Sequence, residues 1–583
     1  MQNAPLSNEN YNLPLLEEIF NYIPLNEKLI FSEQLSHMGL VSVQHLLPTT
    51  VSLFCYLNKF GLPFQHVHVL GKSYSTVDGC TEQLQRRGVN VTPITHDSSI
   101  GLFEYGFQID IQELLKRFEL FLKEHPNVTS IIVLDDGGRL AQLIPKDIKE
   151  KYKIVFIEQT TAGSRKIEQL AREQQLEYPA ISVARSDAKK LEAKSIADTF
   201  EGPLFNLPIF TQGGHKKSII GVVGNGTIGK AIRAKLIARG YMVVLLDYEN
   251  FKSTSGDCFL QKEAAIALGR LVLMSDVVVG CTGADIFKIF SKMHWNISKL
   301  IEEIIIRKNT YFVSVSSERK ELTSLLYALD EMFPGRKTNS QHSLAIYSLN
   351  DHDHEHGIGI ANGGAPVNFT GTASCDPPER FQLTRSLLLG AVLMSLRIFS
   401  VSKGSVENKL YALDHDYQRF VISKWITMVD SAAYDGKALI EFFNGRGEEW
   451  SARLPDNLRL SFFSIVNPAP LFIPALSGDT PDLIPEGHLV VMRPTMFIQP
   501  GPVLERCMFE HDTIPQSPLP QGEFCATTRI KPTINTTLTI QPSSSLPFFR
   551  MAVSTVERSN DAVTGSYDDR QSIYYYANRP IRN

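Results

Sequence analysis

The sequence has few cysteines and no long hydrophobic run. Its 583 residues include seven scattered cysteines, and none of them forms a CxxC pair. An odd, scattered set argues against a disulfide framework or a cysteine-based zinc site and is typical of a reducing cytoplasm. The longest apolar run, 386–396, is shorter than the roughly 20 residues of a membrane-spanning helix. We therefore expect a cytoplasmic protein that does not span a membrane.

The sequence also lacks an excess of charge of either sign. Its 58 Lys and Arg residues stand against 62 Asp and Glu residues, which gives a formal net charge of −4. This balance predicts no basic surface for nucleic acid or for an anionic membrane. The N-terminal segment MQNAPLSNENYN has no basic stretch followed by an apolar one, so no signal peptide is expected. Hydrophobic residues make up 43% of the chain, which is typical of globular domains.

Up to about residue 400, strand-like apolar segments alternate with amphipathic helical ones. This alternation predicts a mostly parallel sheet covered by helices. The Pro- and Gly-containing segment 201–217 predicts a hinge or linker, and a second alternating block occupies 218–348. From about residue 403 the helical periodicity fades, and the last third of the chain contains frequent prolines and short β-rich runs. Predicted strands in the first block are 65–70, 130–134, 153–158 and 180–183.

A GxGxxG motif lies between an apolar strand and a helical segment. The motif consists of Gly224, Asn225, Gly226, Thr227, Ile228 and Gly229. Such glycines allow a tight turn, a close approach of the backbone to a pyrophosphate and close helix–strand contact. Asp247 ends the next strand, where a carboxylate can accept both ribose hydroxyls and disfavour the 2′-phosphate of NADP. The alternative is a glycine-rich turn that binds no ligand.

Several further motifs occur in a fixed order along the first two thirds of the chain. They are His45-Leu46-Leu47-Pro48-Thr49-Thr50, Leu134-Asp135-Asp136-Gly137-Gly138, Glu158-Gln159-Thr160-Thr161-Ala162-Gly163, Lys194-Ser195-Ile196-Ala197-Asp198, and Pro366-Val367-Asn368-Phe369. Together with the GxGxxG motif, they resemble the S-adenosylhomocysteine hydrolase family in order and approximate spacing. The resemblance covers roughly residues 10–400, and residues 401–583 do not look like the short tail of that family.

The resemblance implies an α/β fold with two doubly wound Rossmann-like domains. Residues 1–200 with 355–400 would form the substrate domain, and 205–350 the NAD-binding domain. Residues 403–583 would add a mainly β C-terminal domain of unknown role. It also implies that tightly bound NAD oxidises the 3′-hydroxyl of an adenine nucleoside thioether, so that homocysteine leaves from C5′.

The resemblance assigns a role to each matching residue. Lys194 and Asp198 would activate the 3′-hydroxyl, while Asp136 and His45 would handle the C4′ proton and the leaving group. The NAD contacts implied by the motif and the resemblance are Thr160, Thr161, Gly224, Gly226, Thr227, Ile228, Gly229, Asp247, Thr282, Gly283 and Asn368. No metal is implied. Without the resemblance, Lys194 and Asp198 would be read as an exposed helix salt bridge and Asp135-Asp136-Gly137-Gly138 as an ordinary turn.

The sequence departs from the family at substrate and proton-relay positions. Gln159 stands where the family has its second acid, and glutamine cannot ionise. Ser317 stands where the family has an active-site histidine. The other departures are Thr199 in place of asparagine, Pro203 in place of cysteine and Asp376 in place of histidine. Losing several general acid–base groups, each worth about 10²–10⁴ in rate, would abolish ordinary turnover unless other residues substitute.

Three functions remain open from the sequence. The first is a divergent hydrolase that acts on S-adenosylhomocysteine, and the second is a catalytically impaired NAD-binding protein that regulates or binds a partner. The third is another NAD oxidoreductase. We expect an adenine nucleoside thioether as substrate, further copies of the chain in a homo-oligomer and a protein partner for the C-terminal third. The alternating histidines at 352, 354 and 356 fit a solvated loop better than a metal site.

Overall fold

A computed structural model gives the architecture of the chain. It describes residues 12–95, 103–211, 218–247, 258–293, 295–316, 320–334, 345–347, 357–369, 375, 377–401, 406–430, 434, 436–444, 454–463, 489–492 and 573–576. The chain divides into two compact units. The first holds Met1–Pro208, Val313–Ala345 and Ile360–Ala475, and the second holds Ile209–Phe312, Ile346–Gly359 and Leu476–Asn583.

The described residues form alternating strands and helices over most of the chain. The strands are β1 Met38–Gln44, β2 Val67–Gly71, β3 Asn90–Thr92, β4 Ser130–Asp135, β5 Lys153–Glu158, β6 Ala180–Ser182, β7 Ile219–Val223, β8 Met242–Leu246, β9 Val277–Gly280, β10 Thr310–Ser314, β11 Ala345–Tyr347, β12 Ile358–Ile360, β13 Leu410–Ala412, β14 Leu489–Met492 and β15 Ile573–Tyr576. The helices are α1 Pro14–Tyr22, α2 Leu25–Ser36, α3 Pro48–Lys59, α4 Cys80–Arg86, α5 Phe103–Glu124, α6 Lys146–Lys151, α7 Thr161–Arg172, α8 Asp187–Leu191, α9 Ala193–Phe205, α10 Pro208–Thr211, α11 Thr227–Ala238, α12 Cys258–Met274, α13 Lys288–Lys292, α14 Ile297–Arg307, α15 Thr323–Met332, α16 Pro378–Ser400, α17 His415–Trp425 and α18 Gly436–Asn444.

The first sheet contains seven parallel strands in the order β13-β6-β5-β4-β1-β2-β3. The strands β1 and β4 are buried along their whole length, as expected where helices cover both faces of a parallel sheet. The chain moves to one side of β1 to build β2 and β3, and to the other side to build β4, β5 and β6. In such sheets, ligands bind beside the carboxyl ends of the strands where this reversal occurs.

The second sheet has the order β11-β12-β10-β9-β7-β8-β15-β14. Strand β7 pairs in parallel with β8 on one side and with β9 on the other. The strand order therefore reverses between β7 and β9. The two C-terminal strands are antiparallel, since β15 pairs with β8 and β14 pairs with β15. The predicted α/β class with doubly wound parallel sheets is confirmed.

Helix α16 is the central helix of the first unit. It lies against α1, α3, α17 and β5, and most of its residues are buried. By length and apolar composition α16 could cross a membrane, but 89% of its most apolar stretch is buried inside the protein. Its apolar surface is therefore covered by neighbouring elements, as in the core helix of a globular domain.

The unit boundaries differ from the predicted domains in two places. Val313–Ala345 groups with the first unit, where Leu326 of α15 lies so close to Gly364 that an added Cβ would be 2.7 Å away. The described residues of 406–463 are also part of the first unit, rather than of a separate, mainly β domain beginning at residue 403. Strand β13 extends the first sheet beside β6, and α17 packs against α16 and α1. Apart from β14 and β15, the remainder of 464–583 lies outside the described residues.

The contact between α16 and α17 depends on a glycine. A Cβ at Gly390 would lie 2.0 Å from the Tyr417 ring, whose hydroxyl donates a hydrogen bond to the Ser386 carbonyl at 2.5 Å. Because Tyr417 is fully buried, its ring has no free direction in which to move. The first unit therefore depends on close contact at this crossing.

We expect Gly390→Ala to lower the free energy of unfolding by about 3 kcal/mol, the upper range for overpacking a core. Urea unfolding measures this difference. The matched control is Gly202→Ala in α9, where an added Cβ would have no neighbour within 4 Å. Because Pro203 disfavours a helical residue with a Cβ before it, this cost opposes the gain in helix propensity, and the unfolding free energy should change by less than about 1 kcal/mol. Equal stability of Gly390→Ala and the unmodified protein would contradict the described crossing.

Candidate functional site

Polar side chains collect where strands β1, β2, β4 and β5 of the first sheet end. His45 directly follows β1, and Lys72 directly follows β2. Asp136 follows β4, and Gln159 follows β5. Since the carboxyl ends of parallel strands share one edge of the sheet, these four side chains meet beside the reversal between β1 and β4.

The Asp136 carboxylate is the centre of this group. Its Oδ1 lies 2.5 Å from Lys72 Nζ, and its Oδ2 lies 3.3 Å from His45 Nε2. Oδ2 also accepts a hydrogen bond from the Gln159 amide. Burial alone would raise the pKa of Asp136, but the Lys72 ammonium, His45 and these hydrogen bonds hold it below its ordinary value. Asp136 is therefore a buried, ionised carboxylate.

His45 is a neutral imidazole in this environment. Burial, the Lys72 ammonium and the Arg385 guanidinium lower its pKa to about 3, against the opposing effect of Asp136. Its Nδ1 lies 2.5 Å from Ser75 Oγ, and its ring stacks on Phe369 with centroids 4.4 Å apart. The ring is therefore held on both edges and on one face.

A second buried carboxylate, Glu158, shapes the loop that carries Asp136. Glu158 accepts hydrogen bonds from the backbone N–H groups of Gly137 at 3.0 Å and Gly138 at 2.8 Å. It also accepts from the backbone and hydroxyl of Thr160, both at 2.7 Å. Burial and the neighbouring Asp135 raise the pKa of Glu158 to about 8, while the hydrogen bonds act in the opposite direction. Glu158 therefore links the start of α7 to the loop after β4.

The two predicted ribose contacts, Thr160 and Thr161, lie at the start of α7. The Thr160 hydroxyl accepts a hydrogen bond from Gly163 N at 3.0 Å, so it caps the helix while it donates to Glu158. Thr161 is the first helical residue and is exposed. The described position of Thr160 accounts for the residue structurally, and its contact with a ribose stays a prediction.

Lys194 and Asp198 are one turn apart in α9, and the Lys194 side chain lies outside the described part of the structure. Asp198 Oδ2 forms an ion pair with Arg380 at 2.6 Å. Beside it, Asn368 Nδ2 donates to Thr199 Oγ1 at 3.3 Å. Asn368 Oδ1 is buried without a hydrogen-bond partner, and a buried carbonyl of this kind is suited to accept a bond from a ligand.

The GxGxxG motif of the second unit has the geometry of a phosphate-binding turn. Gly224 has φ +104°, and a Cβ there would lie 2.9 Å from the Cys281 backbone. A Cβ at Gly229 would lie 2.2 Å from the Gly224 carbonyl oxygen. In contrast, a Cβ at Gly226 would meet nothing within 4 Å. Gly226 precedes the first residue of α11, so its backbone can approach an anion at the helix N-terminus.

The other predicted cofactor residues lie at the same edge of the second sheet. Thr227 and Ile228 begin α11, and Asp247 follows β8, where it is half-buried. Thr282 and Gly283 follow β9, across the reversal from the glycine turn. This open turn, helix start and terminal acid fit the pyrophosphate and ribose of a dinucleotide.

Some predicted positions cannot be placed. Ser317, Asp376 and the histidines at 352, 354 and 356 lie outside the described residues. Among the residues that the structure does describe, no group of three or more His, Cys, Asp or Glu residues could hold a metal ion.

Sequence reasoning missed two residues of the first unit, Lys72 beside Asp136 and Arg380 beside Asp198. Lys72 carries a signal that could have been found, because it follows the strand next to β1 and must therefore lie near His45. The role of Glu158 was also missed, although it is the register partner of Asp135 across β4 and β5. Arg380 carries no such signal, because its pairing with Asp198 depends on how α16 lies against α9.

Comparisons with known proteins give distant relatives. The chain is 28% identical over 365 residues to an uncharacterized protein of Mycobacterium tuberculosis, covering 61% of this chain and 63% of that protein. It is 25% identical over 277 residues to the adenosylhomocysteinase of Thermotoga maritima, covering 46% of this chain and 62% of that enzyme. With the adenosylhomocysteinase of Sulfolobus acidocaldarius the identity is 23% over 212 residues, covering 36% and 46%. The chain thus spans less than two thirds of each of these relatives.

Solved structures are more distant, and no model of a protein family matches the chain. A D-isomer specific 2-hydroxyacid dehydrogenase family protein from Aeromonas salmonicida has a TM-score of 0.29 and 12% identity, covering 64% of this chain and 100% of that one. The dipicolinate synthase A chain of Bacillus subtilis has a TM-score of 0.28 and 11% identity, covering 62% and 97%. Scores this low support no inference.

The open space at Gly226 allows a test of whether the turn binds a ligand. Gly226 has φ −66°, so alanine there is unstrained, and the free energy of unfolding of Gly226→Ala should stay within about 0.5 kcal/mol of the unmodified value. The added methyl would instead meet a bound pyrophosphate, so we expect NAD affinity, measured by calorimetry, to fall at least tenfold. Unchanged affinity would favour a glycine-rich turn without a ligand. Gly229→Ala serves as the contrast, because its Cβ meets the Gly224 backbone and should destabilise the fold directly.

Proposed function

We propose that the chain binds NAD at the glycine turn of its second unit and is a divergent adenosylhomocysteinase-like enzyme. It would cleave S-adenosylhomocysteine, or a related nucleoside thioether, to adenosine and homocysteine. The observation that carries this proposal is the buried pair of Asp136 and neutral His45 at the strand reversal of the first sheet. Buried groups with shifted pKa values beside one another cluster at active sites, and this supports the enzyme over a protein without chemistry.

The cofactor part of the proposal depends on the geometry of the second unit. Gly224, Gly226 and Gly229 leave room for a pyrophosphate, and Asp247 is placed to accept ribose hydroxyls. Bound NAD supplies the reversible oxidation of the 3′-hydroxyl, and this oxidation acidifies the hydrogen on C4′.

The first unit would supply the proton transfers. Lys194 and Asp198 would accept and hold the proton of the 3′-hydroxyl. The Asp136 carboxylate would take the C4′ proton, the C5′–S bond would break with its electron pair on sulfur, and the protonated Asp136 would give that proton to the sulfur. Water would then add at C5′ by the reverse sequence, in which the Asp136 carboxylate takes the proton of the water and returns a proton to C4′. Neutral His45, which has one N–H, can donate a hydrogen bond to the carboxylate and remain uncharged throughout.

A second candidate function is a catalytically impaired NAD-binding protein with a regulatory or binding role. Two observations favour it. Gln159 donates a hydrogen bond from its amide to Asp136, and an amide cannot relay a proton. The Asp198 carboxylate already forms an ion pair with Arg380. Both candidates include NAD binding, so only turnover distinguishes them.

The central experiment separates cofactor content from turnover. The purified protein is denatured, released NAD is quantified, and the folded protein is then mixed with adenosylhomocysteine while homocysteine is assayed. Bound NAD with measurable homocysteine supports the enzyme. Bound NAD without NADH or homocysteine from any adenine nucleoside supports the regulatory candidate, and absence of NAD binding contradicts both.

We expect NAD to bind more tightly than NADP, because a carboxylate at Asp247 repels the 2′-phosphate of NADP. Calorimetric titration of the unmodified protein should show this preference. Asp247→Ala should weaken NAD binding and narrow the difference in affinity between the two cofactors, whereas Glu302→Ala, at an exposed residue of α14, should do neither. Equal affinity of the unmodified protein for both cofactors would contradict the assigned role of Asp247.

The first half-reaction should survive better than the full cycle. Lys194 and Asp198 would assist oxidation at C3′, whereas only Asp136 and His45 remain for the proton transfers at C4′ and C5′. Adenosine should therefore produce bound NADH, seen by absorbance, while homocysteine release from adenosylhomocysteine should be slow. Lys194→Ala should abolish the NADH signal. Asp136→Asn should leave it and slow homocysteine release by about 10²–10⁴-fold.

The control for Asp136→Asn is Asp147→Asn, which changes the charge equally at an exposed residue of α6, before β5. Thermal melting of both variants shows whether either effect arises from misfolding. Fast homocysteine release by Asp136→Asn would remove Asp136 from the proposed chemistry.

A further inference from the structure

A buried lysine, Lys72, lies beside Asp136 in the first unit, and the proposed chemistry gives it no role. Lys72 is only 1% exposed, and its ammonium is 2.5 Å from Asp136 Oδ1. An ammonium group removed from water costs several kcal/mol unless an anion and further hydrogen bonds compensate. The position of Lys72 is therefore one that the chain must actively stabilise.

The turn after β2 holds the Lys72 backbone firmly. Its N–H donates to the Gln44 carbonyl at 3.1 Å, which joins it to the end of β1. Its carbonyl accepts from the backbone N–H groups of Ser75 and Thr76 and from the Thr76 hydroxyl, all at 3.0 Å, and the Ser75 hydroxyl lies 3.2 Å from the same carbonyl. The same turn thus places Lys72 on one side of the Asp136–His45 pair and Ser75 on the other.

The ionisation of Asp136 decides how His45 is protonated. With Asp136 ionised, His45 Nε2–H donates to Oδ2, and Nδ1 accepts from the Ser75 hydroxyl. With Asp136 protonated, the carboxylic acid donates to Nε2, Nδ1–H donates to Ser75, and the Ser75 hydroxyl donates to the Lys72 carbonyl at 3.2 Å. The geometry permits both arrangements, and the charge near Asp136 selects between them.

We propose that Lys72 is a positioning residue of this site, which keeps Asp136 ionised and thereby holds His45 in the Nε2–H form that donates to the carboxylate. This inference rests on the proposed function, since it concerns the base that would take the C4′ proton. A protonated Asp136 could not accept that proton.

The other charged groups around the pair do not replace Lys72. Arg385 of α16 faces His45, donates to Thr49 Oγ1 at 2.9 Å and acts on the imidazole by its charge. Asp135 at the end of β4 and Glu158 at the end of β5 are acids whose pKa values are raised by burial, so they add no positive charge near Asp136. Tyr74 meets the His45 ring edge-on. None of these four residues places a cation on the Asp136 carboxylate, whereas Lys72 Nζ donates directly to its Oδ1.

The test removes the charge of Lys72 by substitution and follows the protonation of His45 by NMR. Protein with 13C-labelled histidine rings is titrated by NMR, and the His45 signal among the 15 histidines is identified by its loss in His45→Gln. In the unmodified protein, we expect no titration of His45 between pH 5 and 9. In Lys72→Met, burial and the nearby carboxylates should raise the pKa of Asp136, so that the pair takes up a proton near neutral pH and the His45 signal shifts in this range.

Two further variants separate the loss of charge at Lys72 from other effects of the substitution. Lys72→Arg retains the charge and should restore the flat titration, which a lost packing contact alone would not explain. Lys153→Met removes a lysine at the opposite edge of the sheet, where its ammonium donates to the Phe399 carbonyl, and should leave His45 unchanged. If Lys72→Met does not fold, Lys72→Gln tests the same loss of charge with a smaller change in polarity.

A kinetic arm connects the titration with the proposed reaction. In Lys72→Met, homocysteine release should fall about tenfold for each pH unit below the raised pKa of Asp136 and recover as the pH rises above it, while NADH formation from adenosine is unchanged. A His45 signal that stays flat in Lys72→Met and Lys72→Gln, or that moves equally in Lys72→Arg, would overturn the inference. Because the titration needs neither substrate nor NAD, absence of turnover with the expected titration would count against the proposed function alone.

Discussion

The burial of one carboxylate, Asp136, constrains the first unit more than any other single feature. An ionised carboxylate at 1% exposure is costly unless cations and donors surround it. Lys72, His45 and Gln159 provide these contacts from the ends of three different strands. The order of the strands in the first sheet therefore matters electrostatically, because it brings a lysine from β2 and a glutamine from β5 to the same group.

The second carboxylate shows why this arrangement is rigid. Glu158 binds the N–H groups of Gly137 and Gly138 directly after Asp136, so the backbone that carries Asp136 is fixed by the neighbouring strand. The helix α7 must approach Glu158 closely, and only glycine at 163 allows this, since a Cβ there would lie 2.2 Å from the Glu158 carboxyl carbon. Two buried acids one strand apart thus have different tasks: Glu158 shapes the loop, and Asp136 faces the polar group.

The sequence predicted the α/β class with parallel sheets and the glycine turn between a strand and a helix, because hydrophobic periodicity and turn glycines are local signals. It could not predict the Asp198–Arg380 pair, since that contact joins residues far apart in the chain through two helices. Nor could it place 406–463, where the alternating pattern of the first 400 residues fades before the short strand β13 and the helix α17. These segments owe their structure to burial against α16 and β6, and propensity alone does not reveal such contacts.

The same electrostatic constraint bears on how Gln159 should be interpreted. Read from the sequence, glutamine at an acid position looks like a loss of proton relay. In the structure its amide donates to Asp136, beside a lysine that also donates to this carboxylate. A second ionised acid at this place would face Asp135, Asp136 and Glu158, and burial would make its charge expensive. An uncharged donor next to a buried lysine instead favours one ionised carboxylate. Gln159 and Lys72 are therefore consistent with a rearranged charge balance around Asp136 rather than with the simple decay of an acid–base site.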